Sequence, residues 1–342
     1  MMHTPVYVVL GQSDPASYAL LPSKPKQLGF TLVELLVAMA ISTVIAIAAV
    51  SALSVSRQGF TTADAASQLR DNARFSTSLM QRLGVQAGFK DVVFATTNWT
   101  TSDIAEPDPA VSGFNNAIPS SSDPFNIVTT RTSGSVGFGS DVLILRNQVA
   151  ETFPGSGVND QSMIDCLGNP PAAGTVATNR DQIITSAIYV DISNSEPSLM
   201  CSTGPSVSQP IIQGVENFQV LYGVNSVSSG TTDYKAADTY LRADQMTAGT
   251  TALTNANWRK VRSIRIGMVI RGPIGSAQDR VSQTFYPFGL VKESATGTPG
   301  FAMSALDTGA GADPGTRFTP TVDGRMRQVA TFTIHLRNDQ GK

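Results

Sequence analysis

The chain has 342 residues, enough for one large domain or two small ones with a sizeable core. A formal net charge of −2 with only 15% charged residues excludes a general nucleic-acid binder, although a local basic groove stays open. Cys166 and Cys201 are the only cysteines: they suffice for one disulfide or stand as separate thiols, and they are too few for a thiolate zinc site.

The first element lies near the N-terminus. From Leu35 to Ser56 no residue is charged, and Ala, Val, Ile and Leu dominate. About 20 apolar residues cross a bilayer as a helix, whereas the apolar region of a cleaved secretory signal has only ~7–15. A membrane helix is expected. Lys24 and Lys26 lie before it and Arg57 after it, so flanking charge orients it weakly. Glu34 stands at the start of the run, in Gly29-Phe30-Thr31-Leu32-Val33-Glu34-Leu35-Leu36. A carboxylate inside the bilayer costs about 2.5–3.5 kcal/mol on insertion scales, which marks it as functional, and a head group resting in interfacial water is the alternative.

Lys26-Gln27-Leu28-Gly29-Phe30-Thr31-Leu32-Val33-Glu34 resembles the processing and methylation signal of type IV prepilins and type II secretion pseudopilins. The resemblance implies cleavage by a membrane prepilin peptidase between Gly29 and Phe30, N-methylation of Phe30, and Glu34 as the assembly carboxylate. Glycine suits the cut because, lacking Cβ, it lets an extended backbone approach a protease closely. Residues 1–29 are a longer leader than is common in this family, for which a start codon assigned too far upstream is one explanation, and they do not enter the fold.

Beyond the apolar run the helical pattern continues. Leu69, Ala73, Ser76, Met80 and Leu83 recur at spacings of three and four, while Arg70, Asp71, Arg74 and Arg82 fall on other faces. No proline occurs from Phe30 to Lys90, and Gly84 and Gly88 are the expected stops, with Gly59 a point of possible bending. A helix from Phe30 to Leu83 would be roughly 80 Å long. After Lys90, Val142–Leu145 reads as a buried strand. Phe218, Val220 and Tyr222 alternate with Asn217 and Gln219; Ile264, Ile266, Met268 and Ile270 with Ser263, Arg265 and Gly267; and Phe332, Ile334 and Leu336 with Thr331, Thr333 and His335. Period two predicts half-buried antiparallel strands with one wet face, and the Leu69–Leu83 stripe is the expected cover of the other. Arg262 and Arg265 are expected on the solvated face, Gly223 in a turn, Trp258 at the edge of the core, and Phe60 in packing on the head or on a neighbour's helix. Long loops are expected over 94–128, 147–182, 224–257 and 295–325.

Later blocks narrow the resemblance. Leu69-Arg70-Asp71-Asn72-Ala73-Arg74-Phe75 with Ala87-Gly88-Phe89, Ser140-Asp141-Val142-Leu143, Ser198-Leu199-Met200-Cys201, Gly214–Gly223, Trp258, Val261–Arg265 and Thr333–Asn338 resemble, in order, PilW-type minor pilins. The chain departs from that family at Val85-Gln86, where an arginine is more usual. The resemblance implies the α+β type IV pilin fold: a leader at 1–29, a transmembrane and assembly half-helix at 30–55, a soluble half-helix at 56–89, and a β-rich head at 90–342. With the head exported to an oxidising compartment, Cys166 and Cys201 are expected to pair.

The implied role is a minor pilin that starts pilus assembly at the tip, in the inner membrane with its head in the periplasm before assembly and extracellular afterwards. Its implied partners are other minor and major pilins through the N-terminal helix, the prepilin peptidase, the assembly platform of the inner membrane and a tip adhesin, with no nucleic acid. A J-type pseudopilin of type II secretion is the alternative, followed by a plain surface adhesin and, remotely, a membrane-tethered hydrolase. No catalytic, metal or cofactor residue is expected. His3 and His335 are the only histidines, no hydrolase or phosphate-loop motif occurs, Gly309–Gly315 reads as a loop, and Asp160 and Asp165 lack the spacing of a calcium loop.

Overall fold

The computed structural model describes residues 29–90, 108–153, 156, 158–170, 183–224, 237, 239–277, 279–289 and 315–338. The chain divides into two compact units, Met1–Val55 and Ser56–Lys342. Helix α1 spans Leu32–Gln86. No residue of its apolar window is buried within the chain. In the second unit its stripe is buried as the spacing predicts: Ala65, Leu69, Ala73, Ser76, Met80, Leu83 and Gly84. Arg70, Asp71, Arg74 and Arg82 are exposed. Gly59 does not interrupt the helix.

The two glycines near its end part company. Gly88 follows the helix at φ 78°, a left-handed value that suits glycine, and its N–H donates to the carbonyl of Arg146 at 2.9 Å. Gly84 is not a stop. It lies inside the helix, where a Cβ would come within 2.6 Å of the Ile334 side chain, so it sets how closely helix and sheet approach.

Eleven strands are described: β1 (Val111–Phe114), β2 (Ala117–Pro119), β3 (Val128–Thr130), β4 (Val142–Gln148), β5 (Ile183–Ser193), β6 (Glu196–Gly204), β7 (Val207–Gln213), β8 (Val215–Val224), β9 (Thr239–Leu241), β10 (Val261–Arg271) and β11 (Arg327–His335). A short helix α2, Thr251–Trp258, precedes β10. Among the described residues all pairing is antiparallel, in a five-stranded sheet β1-β4-β5-β6-β7, a four-stranded sheet β11-β10-β8-β9 and the ribbon β2-β3. The three period-two runs are β8, β10 and β11, neighbours in one sheet. Leu69, Ala73, Met80 and Leu83 share a core with Phe218, Val220, Tyr222, Ile264, Ile266, Met268 and Ile334, and with Leu143, Ile188 and Leu199 of the five-stranded sheet.

Several expectations are corrected. β8 has no wet face: every residue is buried, Asn217 and Gln219 included. The segment 139–141 covers it, with Gln219 donating to the Gly139 carbonyl, Phe218 N–H to Ser140 Oγ at 3.1 Å, Val220 N–H to Asp141 Oδ2 at 2.8 Å, and Asp141 N–H to the Phe218 carbonyl at 2.8 Å. Ser140-Asp141 is thus a latch between the sheets. Gly223 forms no turn; it sits inside β8, where a Cβ would lie 2.9 Å from Ala237 and 3.0 Å from the Tyr240 ring. The outer face of β10 is partly covered, since Pro287 lies over Gly267 and the Arg265 guanidinium stands 5.6 Å from the Phe288 ring centre. Arg262 is half-buried, donating to the carbonyls of Arg259 and Val261. The loop expected at 224–257 contains β9 and α2, and that at 94–128 contains β1, β2 and the start of β3. Trp258 does sit at the core, edge-on to Tyr222 with ring centres 4.7 Å apart. Phe60 is 74% exposed, so it is not the head packing residue that was one expectation.

The sheets are also joined by charge. Glu196, opening β6, accepts from Arg271 at the end of β10 and from Arg325 at 2.9 Å; Glu216 in β8 accepts from Arg271 at 3.1 Å and Arg327 at 2.6 Å; Arg327 also holds Asp323 at 2.8 Å. Burial acts most strongly on Glu196 and raises its pKa, but the Arg271 and Arg325 hydrogen bonds and charges together outweigh it and leave it below the ordinary value. Asp323 follows the same pattern through Arg327.

Candidate functional site

The described residues open on Gly29 and an 88% exposed Phe30, followed by the first turn of α1. Thr31 and Glu34 close a reciprocal cap. Glu34 N–H donates to Thr31 Oγ1 at 3.3 Å, while Thr31 N–H donates to Glu34 Oε2 at 2.9 Å and Thr31 Oγ1 donates to the same oxygen at 3.0 Å. The Leu35 N–H to Thr31 carbonyl bond, 3.2 Å, starts the helical ladder. Each helix leaves its first N–H groups without helical partners, and this Thr-x-x-Glu box satisfies two of them. Glu34 therefore has a local role that the reading of the sequence missed, although the signal, threonine three residues before a glutamate ahead of an apolar run, was in plain view.

The apolar run carries few polar side chains, and three of its hydroxyls are satisfied in place. Ser42 Oγ donates to the Ala38 carbonyl at 2.7 Å, Thr43 Oγ1 to Ala40 at 2.8 Å, and Ser51 Oγ to Ile47 at 2.8 Å. Such back-bonding spares these three hydroxyls the penalty of entering lipid unpaired. Gly29, Phe30 and Glu34 thus lie within one stretch, at the mouth of an exposed apolar helix.

The other expected pair is far away in sequence. Cys166 and Cys201 form a disulfide with Cα atoms 5.8 Å apart, and both are buried. Cys201 lies on β6, and Cys166 N–H donates to Ser186 Oγ on β5 at 3.0 Å, so the bridge ties the segment after β4 to the five-stranded sheet. Among the described residues no group of His, Cys, Asp and Glu could hold a metal. Asp165 accepts from the N–H groups of Leu167 and Asn169, and Asp160 from that of Ser162, so both carboxylates shape turns. His335 is exposed on β11. His3 and Gly309–Ala312 lie outside the described residues.

Buried Arg131 is a feature the sequence did not advertise. It donates to the carbonyls of Ala117 and Val136, each at 2.9 Å, and to that of Val190, binding β2 and the 132–138 turn to β5. Burial lowers its pKa to about 10 against the opposing charges of Asp191 and Asp141, so it stays charged at neutral pH.

Two family descriptions match the chain. Residues 24–50 match the prokaryotic N-terminal methylation motif, and residues 187–338 match the type IV pilus-assembly protein W family. The second match runs from within β5 through β11 and includes Cys201, Trp258 and the whole four-stranded sheet. Among solved structures, a type IV-like pilin from Thermus thermophilus is similar at 14% identity with a TM-score of 0.36, over 80% of this chain and 99% of that one. No curated protein matches the chain.

Proposed function

We propose that this chain, a type IV pilin-related protein with a PilW domain, is a minor pilin that is cut between Gly29 and Phe30, N-methylated at Phe30, and built into the tip of a pilus as one of its first subunits. The observation that carries this is the N-terminus: a methylation motif leads into a capped helix whose exposed run from Leu35 to Ser56 is uncharged, with three hydroxyls bonded back to its own carbonyls. Such a segment has no use in a soluble protein. It suits a precursor anchored in the inner membrane, with the head in the periplasm, that later joins a bundle of like helices.

Cleavage creates a free amine on Phe30, next to Thr31. The Glu34 carboxylate, already turned toward the Thr31 N–H, is then placed to pair with that amine in its own chain or a neighbour's. Pairing offsets the cost of holding both charges in a low-dielectric bundle. The tip position rests on bulk. The head, 90–342, is large, and in a filament wall each head is covered by heads above, whereas the first subunits extruded have none above them. Contacts with other minor and major pilins run through the helix, and the assembly platform and a tip adhesin complete the set of partners.

Intact mass in strains with and without the prepilin peptidase tests processing; a mature chain still carrying residues 1–29 overturns it. Immunogold labelling of the head, with pilus counts in a deletion strain, tests the position. A few tip copies and fewer pili of normal length are expected. Even labelling along the shaft, or full piliation after deletion, rejects tip initiation.

A further inference from the structure

The turn that follows β10 is held against α1 just past the end of the apolar run. Gln58 Nε2 donates to the Gly275 carbonyl at 3.3 Å, and Thr62 Oγ1 to the Ser276 carbonyl at 3.2 Å, which sets the turn at the level of residues 58–62. From Gly272 to Ala277 the turn carries no charge, and its Ile274 is 72% exposed. Buried Ser276 fixes the backbone that displays it. Its Oγ donates to the Pro273 carbonyl at 2.7 Å and accepts from Met326 N–H at 2.8 Å.

Phe60, at the same level, is 74% exposed. Gln58 and Thr62, four residues apart, mark the face of α1 that takes the turn, and Phe60, midway between them, lies about 180° round the helix. Exposed apolar side chains thus stand on opposite sides of one level. A protein partner covers one side of a helix, whereas a lipid surface surrounds it. The length of the run says where that surface falls. From Leu35 to Ser56 an α-helix rises about 33 Å, against about 30 Å of hydrocarbon. Exposed Arg57, the first charge after the run, marks the boundary, and Gln58 follows it by about 1.5 Å.

We propose that Ile274 and Phe60 seat the head on the phospholipid surface, entering the headgroup layer on opposite sides of α1 before the subunit joins a filament. The proposal rests on the reading that the apolar run lies in lipid, and the test separates the two. Because Cys166 and Cys201 are bonded to each other, one introduced cysteine takes a thiol-reactive dye alone. Full-length chains with Ile274→Cys, Phe60→Cys, Val44→Cys or Leu253→Cys are each labelled with nitrobenzoxadiazole. They are then placed in phosphatidylcholine–phosphatidylglycerol vesicles that carry spin labels on the headgroups or deep in the acyl chains. Leu253, 57% exposed on α2 before β10 begins, is the control at the other end of that strand. Headgroup spin labels are expected to quench the dyes at positions 274 and 60, at depths within about 5–10 Å of the headgroup boundary, and to spare the dye at 253. Deep spin labels should quench the dye at 44. Quenching at 44 without quenching at both 274 and 60 overturns the proposal alone, while an unquenched 44 overturns the membrane reading and the proposal with it. Equal quenching at 253 and 274 reports the dye's own affinity for lipid and also overturns it. A dye at 274 whose emission shifts only at high protein-to-lipid ratio assigns the turn to a second copy instead.

Discussion

From Leu35 to Ser56, α1 presents apolar side chains on every face, and its apolar window has none buried within the chain. From Ala65 to Gly84 the same helix alternates exposed charge with one narrow buried stripe. An all-round apolar surface finds its solvent outside the chain, in lipid or in other helices. A stripe finds it inside, in a core built by strands that lie far away in sequence. The contrast shows that composition announces the first kind of burial and periodicity the second.

The sharpest way to break this comparison is to put the same charge in both regions. Met80→Asp places an unpaired carboxylate in the core, and a loss of roughly 5 kcal/mol or more is expected, enough to keep the head from folding. Val44→Asp, on the exposed apolar run, leaves the head's unfolding midpoint unchanged and instead reduces membrane insertion. Denaturant titration in detergent, followed by tryptophan fluorescence, with membrane fractionation, reads both. A destabilised head in the Val44 variant would mean that the two regions do not divide their roles in this way.

Within the head, removing the disulfide with Cys166→Ala and Cys201→Ala is expected to cost about 3–4 kcal/mol in the chain-entropy model, for bridged residues 35 apart in sequence. A reductant should shift the wild type's unfolding midpoint toward that of the double variant and leave the variant unmoved. Asp141→Ala strands two buried N–H groups, those of Asn116 and Val220, for a loss of about 2–4 kcal/mol by equilibrium unfolding. A loss under 1 kcal/mol would show that the latch between the sheets is dispensable.

Glu34→Leu removes the glutamate half of the box, worth about 1 kcal/mol to the first helical turn, and leaves the head's melting and the cut between Gly29 and Phe30 unchanged. Incorporation into pili is expected to fall. Normal incorporation would reduce Glu34 to its capping role. The smallest effect concerns acid. Glu196 and Asp323 have pKa values held below their ordinary 4.5 and 3.8, so their ion pairs stabilise the head fully above those values and are lost as pH falls through the depressed ones. Glu196→Gln should lower the neutral plateau and flatten the acid limb, so that its stability profile converges on that of the wild type as pH falls below about 4. An unchanged acid limb would show that Glu196 adds nothing net.

By itself the sequence determined the prepilin signal at Gly29–Glu34, the span of the helix to within a few residues, the buried stripe from Leu69 to Leu83, and the strands β8, β10 and β11. Each is a local pattern: a motif, an unbroken uncharged run, or a period of 3.6 or 2. The hairpins over Ile183–Gln213 escaped notice. β5 carries an unbroken Ala187–Val190 run, β7 is interrupted by Pro210, and the β5–β6 turn uses Asn194-Ser195 at φ 50° and 65° where Asn-Gly would have announced it. Only the tertiary structure decided that Asn217 and Gln219 are buried, that Gly84 and Gly223 mark close approach where stop and turn were expected, and that Ser140-Asp141 latches one sheet to the other. These depend on which distant segment covers a face, and a face's own residues do not say what will lie upon it.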